Sequence, residues 1–254
     1  MTAAAPIRSP ATPPAIVFTD WDGTVTLQDS NDYITDNLGM GHPKRMIIND
    51  KILDGTTTFR DGFREMLDSI HKPFSECIEY LLANIQLDPG FKSFYEWCQA
   101  ENIPVIVISS GMKPIISALL TNLIGEDAMK NIEIVSNDVE INPNDESDWE
   151  IIYRDPESGF GHDKARSIKQ YLDNHGYTTK DNTPVLFYCG DGVSDLSAAK
   201  ETDLLFAKHG KDLIKYCIRE SIPYTEFNDF QEILSKVQTI VKHNGDIQQF
   251  IENP

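Results

Sequence analysis

Basic residues are scarce in this chain. Only 22 lysines and arginines stand against 40 aspartates and glutamates over 254 residues, a formal net charge of −18. Nucleic acid and anionic membrane surfaces both require a basic face, so the imbalance excludes them as main partners. It also sets a condition on any anionic substrate, whose site must gather positive charge locally from a lysine, a metal or helix N-termini. Cysteine is sparse too. Cys77, Cys98, Cys189 and Cys217 contain no C-x-x-C pair, so buried thiols in a reducing compartment are expected rather than a disulfide framework. No apolar run approaches the roughly 20 residues that span a bilayer. The opening MTAAAPIRSPATPPA has no hydrophobic signal core and is too rich in proline for an amphipathic presequence. Residues 1–14 therefore read as a disordered tail, and the cytoplasm as the compartment.

What the chain does have is a series of short apolar runs, each ending in small or acidic residues. The run at 16–19 stops at Asp20, IPVIVISSG (103–111) at two serines and a glycine, and PVLFYCGDG (184–192) at another aspartate; DLLFA (203–207) follows. Runs so short and so continuously apolar suit strands buried on both faces of a parallel sheet. Their alternation with helical segments predicts a doubly wound, Rossmann-like α/β core.

Residues 28–88 have a different character. Phe59, Phe63, Met66, Leu67 and Ile70 recur at helical spacing, giving one apolar face. Pro73 ends that pattern, and Ser75 is expected to cap a second helix with Ile78, Leu81, Leu82 and Ile85 inward. LDPG (87–90) marks the return to the core, where Phe91, Phe94, Tyr95 and Cys98 line the next helix. The expected division is a helical cap over 28–88 inserted into a core of 15–27 and 89–250. Residues 132–155, β-branched on either side of a polar turn, predict a small hairpin insertion.

Four polar features follow the apolar runs. They are Asp20-x-Asp22-Gly23-Thr24, then Ser109-Ser110-Gly111, then Lys164 in GHDKARSI, then GDGVSD with Asp191 and Asp195. Each has an ordinary reading when taken alone. AIVFTDWDGTVT (15–26) makes a plausible β-hairpin about Asp22-Gly23, Ser109 a helix cap ahead of Pro114, and Lys164 a solvated lysine. Together they are harder to dismiss, because loops at the carboxyl ends of parallel strands face one crevice.

That ordered set resembles the haloacid dehalogenase-like phosphohydrolase superfamily, with the long helical insert and small hairpin of its phosphoserine phosphatase-like branch. VISSGMKP (107–114) is also similar to the methylthio-pentulose phosphate phosphatases of methionine salvage, and the chain as a whole to little-annotated fungal phosphatases. The resemblance implies a phosphoric monoester hydrolase in which Asp20 attacks phosphorus to give an aspartyl-phosphate and Asp22 is the general acid and base. It implies magnesium on the side chains of Asp20 and Asp191 and the backbone carbonyl of Asp22. Ser109, Ser110, Gly111 and Lys164 would bind the phosphoryl oxygens, and Asp195 would orient Lys164 or a water on the metal. A receiver-like phospho-aspartate signalling domain and a non-catalytic binding module are the alternatives, though the first would have no use for Asp22 or the cap.

For the substrate, Asp29 falls where the branch places the acid that reads an ammonium. The matching arginine does not line up, since Met66 stands in its place with Arg60 and Arg64 nearby. Without a bidentate carboxylate clamp, a small sugar or polyol phosphate, contacted by Asp29, Asn31, Asp32 or His162, ranks ahead of phosphoserine.

Overall fold

The computed structural model describes residues 12–177 and 183–252, so most of the expected N-terminal tail lies outside the described residues. Strands β1 (Ala15–Thr19), β2 (Val105–Met112), β3 (Glu133–Asn142), β4 (Asp145–Ile152), β5 (Val185–Gly190), β6 (Leu204–Lys208) and β7 (Thr225–Phe227) form one sheet in the order β4-β3-β2-β1-β5-β6-β7. Neighbours are parallel except β3 and β4.

The continuous apolar runs are explained by burial on both faces. Alternate residues point to opposite sides of a strand, so Val17, Val107 and Phe187 join one hydrophobic cluster while Ile16, Phe18, Ile106 and Tyr188 join another. Helices α5 (Phe91–Ala100), α6 (Lys113–Leu123), α7 (Glu126–Asn131) and α11 (Phe230–Lys242) contribute Phe91, Ile116, Ala128 and Phe230 to the first. Helices α8 (Lys164–His175), α9 (Leu196–Ala199) and α10 (Asp212–Glu220) contribute Ile168, Ala198 and Leu213 to the second. This is the expected doubly wound α/β fold. From β1 the chain builds outward to β2 and β3, then returns to β5 on the other side, so the order reverses beside β1. That reversal opens a crevice at the strands' carboxyl ends.

Four helices lie between β1 and α5. They are α1 (Ser30–Leu38), α2 (His42–Leu53), α3 (Phe59–Asp68) and α4 (Phe74–Asn84). The apolar spacing predicts α3 and α4, whereas α1 and α2 carry no such pattern. Ile34, Ile48, Phe63, Leu67 and Leu81 continue the cluster that covers the first sheet face, so these helices and the sheet share one apolar interior. Ser75 does not cap α4. Pro73 holds that position, and the Ser75 hydroxyl instead donates to Glu146 Oε2 at 2.7 Å.

One local alternative is excluded and one local expectation gives way. The hairpin at the first aspartates does not form, because the Trp21 carbonyl accepts from the amides of Thr24, Val25 and Thr26, and Thr26 bridges to Leu87. The 132–155 hairpin does form but is not a separate insertion. The first half of β3 pairs in parallel with β2, and only its second half turns to pair antiparallel with β4. All four cysteines are buried free thiols. Among the described residues no helix is long and apolar enough to cross a membrane.

Candidate active site

β1 delivers Asp20 to the crevice, and its amide donates to the Cys189 carbonyl at 2.8 Å, which ties this loop to β5. Lys164, the first residue of α8 behind the N-cap Asp163, is fully buried. Its ammonium donates to Asp20 Oδ2 at 2.9 Å and to Asp195 Oδ1 at 2.7 Å. Asp195 is saturated. Its Oδ1 also accepts from the Tyr188 hydroxyl at 2.6 Å, and its Oδ2 from the amides of Asp191 and Gly192 at 2.9 and 3.0 Å. This carboxylate is therefore committed to holding Lys164 and the Asp191 loop.

Asp20, Asp191 and Asp195 bring carboxylate oxygens within 4.8 Å of one another. Burial, then repulsion from Asp195, pushes Asp20 well above the usual carboxylate range, although Lys164 opposes this. Burial and Asp195 likewise push Asp191 up to about 7. For Lys164, burial works against the charge, but Asp195 and Asp20 more than offset it and hold the ammonium above its ordinary value. Two buried carboxylates forced toward protonation are the condition a hard cation relieves. With Asp195 saturated, Asp20 and Asp191 are the pair whose side chains fit that role. Gly23, at φ +73°, makes the approach possible, since a Cβ there would fall 2.3 Å from Asp191 Oδ2.

Asp22 faces the same crevice in a different setting. Its Oδ1 accepts from the backbone amide and hydroxyl of Ser30 at 2.7 and 2.5 Å, and its Oδ2 from Asn31 Nδ2 at 2.9 Å. Burial, with Asp29 next, pushes its carboxyl up to about 7 while the Ser30 bonds pull it down. Gly111 admits this carboxylate, because a Cβ there would lie 2.9 Å from Asp22 Oδ2. Ser109 belongs to β2 rather than capping a helix, and its Oγ accepts from the Gly111 amide at 3.0 Å. Ser110 Oγ and Asn31 Oδ1 are buried with no hydrogen-bond partner. These groups line a cavity of 310 Å³ that also meets Asp29, Asp32 and Asn49, the apolar Met46, Phe63 and Met66, and Lys211 and Tyr216.

Residues 17–200, more than half the chain, match the haloacid dehalogenase-like hydrolase family. The chain belongs to that family. The polyol phosphate phosphatase PYP1 of Saccharomyces cerevisiae is 55% identical over 241 residues, covering 94% of this chain and 99% of that protein. Pdp3-interacting factor 1 of Schizosaccharomyces pombe is 51% identical over 224 residues, covering 88% and 95%. Among solved structures, a phospho-aspartyl intermediate analogue of phosphoserine phosphatase aligns with a TM-score of 0.64 at 18% identity, covering 88% of this chain and 98% of that one, which shows a shared fold. The chain is thus a phosphatase of the haloacid dehalogenase-like type, on the phosphoserine phosphatase-like architecture.

The structure brings Asp20, Asp22, Ser109, Ser110, Gly111, Lys164, Asp191 and Asp195 together, with Asp29, Asn31 and Asp32 on the cavity wall. It does not bring the remaining specificity candidates of this haloacid dehalogenase-like enzyme to that wall. Arg60 donates to the Pro156 carbonyl and Asp61, while Arg64 donates to Glu150 and the Ile151 carbonyl and stacks over Tyr153. Both arginines fasten α3 to β4 and the loop after it. His162 is also internal. Burial pushes its ring down to about 4, so Nδ1–H donates to the Ser109 carbonyl at 2.7 Å and Nε2 accepts from Ser167 at 2.8 Å. Sequence reasoning missed Asn49, Lys211 and Tyr216. Asn49 had a signal, since Met46, Asn49 and Leu53 share one helix face and all line the cavity.

Proposed function

We propose that the protein is a magnesium-dependent phosphatase of a small sugar or polyol phosphate, working through an aspartyl-phosphate at Asp20. The observation that carries this reading is the composition of the cavity. Its floor gathers the charged cluster at Asp20, while among the described residues no arginine lines its wall and the lining lysine, Lys211, is 44% exposed and leans toward Asp191. A carboxylate tail such as that of phosphoserine would meet Asp29 and Asp32 with no bidentate partner. An uncharged, hydroxylated tail would meet acceptors and an apolar wall, and the polyol phosphate phosphatase relative supports that preference.

The chemistry follows from position. Ser109, Ser110, the Gly111 backbone and Lys164 would hold the phosphoryl oxygens, leaving Asp20 in line with the ester bond. An Asp20 carboxylate oxygen forms a bond to phosphorus as the bond to the ester oxygen breaks, and Asp22 gives its proton to that departing oxygen. Asp22 then takes a proton from water as the water oxygen attacks phosphorus, releasing inorganic phosphate and the Asp20 carboxylate. Asp20, Asp191 and the Asp22 backbone carbonyl would hold magnesium, whose charge offsets repulsion between an anionic nucleophile and a phosphate dianion. Lys164 serves the same end from the protein side. The inserted helices would act as a cap that shields the reaction from bulk water, and four free thiols suit the reducing cytoplasm.

The test is phosphate release from a panel of alditol phosphates, sugar phosphates and phosphoserine. Alditol and sugar phosphates are expected to turn over with higher kcat/KM than phosphoserine, and chelation of magnesium is expected to abolish release. Phosphoserine as the best substrate would overturn the substrate reading.

A further inference from the structure

Among the described residues that line the cavity, Asn31 is unusual in how it divides its amide. One end serves Asp22, with Nδ2 donating to Oδ2 at 2.9 Å. The other end, Oδ1, is buried without a partner, on a residue only 5% exposed. Chemistry fixes this orientation, since the reverse would set a carbonyl oxygen against a carboxylate oxygen, acceptor on acceptor. Ser30 grips the other oxygen of Asp22 through two hydrogen bonds, so that carboxylate is held in place. A buried acceptor with no donor is costly to maintain in a protein interior. Asn31 lines the cavity, so a ligand seated against it can supply the donor that this oxygen lacks.

We propose that Asn31 reads a hydrogen-bond donor on the carbon next to the phosphate ester, which makes it the residue that selects vicinal hydroxyalkyl phosphates. The assignment rests on the reading of Asp22 as the acid of the proposed phosphatase. An ester oxygen that receives the Asp22 proton must lie against that carboxylate. Asn31 Oδ1 is one carbon away from the Nδ2 that touches Asp22, and in a glycol, glycerol or alditol phosphate the next hydroxyl is two carbons away from the ester oxygen. The same placement therefore satisfies both contacts, with the hydroxyl donating to Asn31 Oδ1. A second anionic group at that point carries no proton to offer and would face Asn31 Oδ1, Asp29 and Asp32 together. Asn31 thus couples recognition of the alcohol to the group that protonates it.

The experiment compares four substrates: ethyl phosphate, 2-hydroxyethyl phosphate, 2-aminoethyl phosphate and p-nitrophenyl phosphate. The last has a leaving group that needs little protonation and no neighbouring donor. The wild type is expected to favour 2-hydroxyethyl over ethyl phosphate by roughly tenfold or more in kcat/KM, the scale of one well-made hydrogen bond. In Asn31→Leu that preference is expected to fall to near unity, with p-nitrophenyl phosphate losing less than the alkyl esters. Ser30→Ala, which loosens Asp22 without facing the substrate, is expected to lower kcat on the alkyl esters while keeping the hydroxyl preference.

Equal turnover of ethyl and 2-hydroxyethyl phosphate by the wild type would overturn the assignment without any variant needing to fold. So would an equal loss on all four substrates in Asn31→Leu. A stronger preference for 2-aminoethyl phosphate would overturn the hydroxyl as the group read. Failure of the wild type to release phosphate from any of the four substrates would overturn the proposed small-ester phosphatase reading on which the assignment rests.

Discussion

Lys164 and His162 are near neighbours in sequence and both are buried, yet their environments push them in opposite directions. Lys164 meets two carboxylates and keeps its charge. His162 meets a carbonyl and a hydroxyl and loses it. The histidine has a consequence for stability. Burial lowers its folded pKa to about 4 from an ordinary 6.5, so the unfolded chain takes up the proton first. Its contribution is complete above pH 6.5 and is lost as pH falls toward 4, amounting to about 3 kcal/mol at the acid end. Urea denaturation of the wild type is expected to show a steeper loss of stability between pH 7 and pH 4.5 than that of His162→Gln. Parallel loss in the two proteins would contradict the account. At this scale the strand-end motifs were legible because their residue types are chemically dense and each follows an apolar run. The places of Arg60, Arg64 and His162 were not legible, because spacing shows that a side chain is near a site, not which way it points. Here the carbonyls of Pro156, Ile151 and Ser109 accept from Arg60, Arg64 and His162 and hold them away from the cavity.

Helix α1 does more than its weak apolar pattern suggests. Asp29 caps it by accepting from the amides of Asn31 and Asp32, and its first turn carries Ser30 and Asn31 to Asp22. One helical turn separates Asp32 from Asp36, and the two clasp the buried Arg45 of α2 at 2.7 Å each. This clasp sets the position of α2, whose Met46, Asn49 and Leu53 face the cavity. Arg45→Leu is expected to raise KM for a polyol phosphate by roughly tenfold, equivalent to about 1.4 kcal/mol of binding, with kcat little changed. Steady-state kinetics on purified variant checks this, and an equal loss of kcat with unchanged KM would argue against it. The strands were readable because burial on both faces leaves unbroken apolar runs. α1 and α2 were not, because α1 spends its inward positions on polar residues at the site and α2 turns Met46 and Leu53 toward the open cavity. The same limit applies to β3. Composition revealed its turn with β4, but nothing local could show that its first half is a member of the main sheet.

Over the whole molecule, a net charge of −18 and an anionic substrate are reconciled by concentration rather than by balance. The reversal of strand order beside β1 places the loops after β1, β2 and β5 and the start of α8 around one point, and Lys164 with the Asp20–Asp191 pair occupies it. The inserted helices share the apolar interior of the sheet, so the cavity wall they supply is built on the same core as Asp20 and Lys164. The central claim is that this point makes a covalent bond through Asp20. It is tested by quenching the enzyme in acid during turnover of an alditol phosphate with magnesium and mapping the phosphorylated peptide. The account predicts phosphate on the peptide that carries Asp20, and none in Asp20→Asn, which also releases no phosphate. Phosphate found on another residue such as Ser109, or turnover by Asp20→Asn at the wild-type rate, would contradict it.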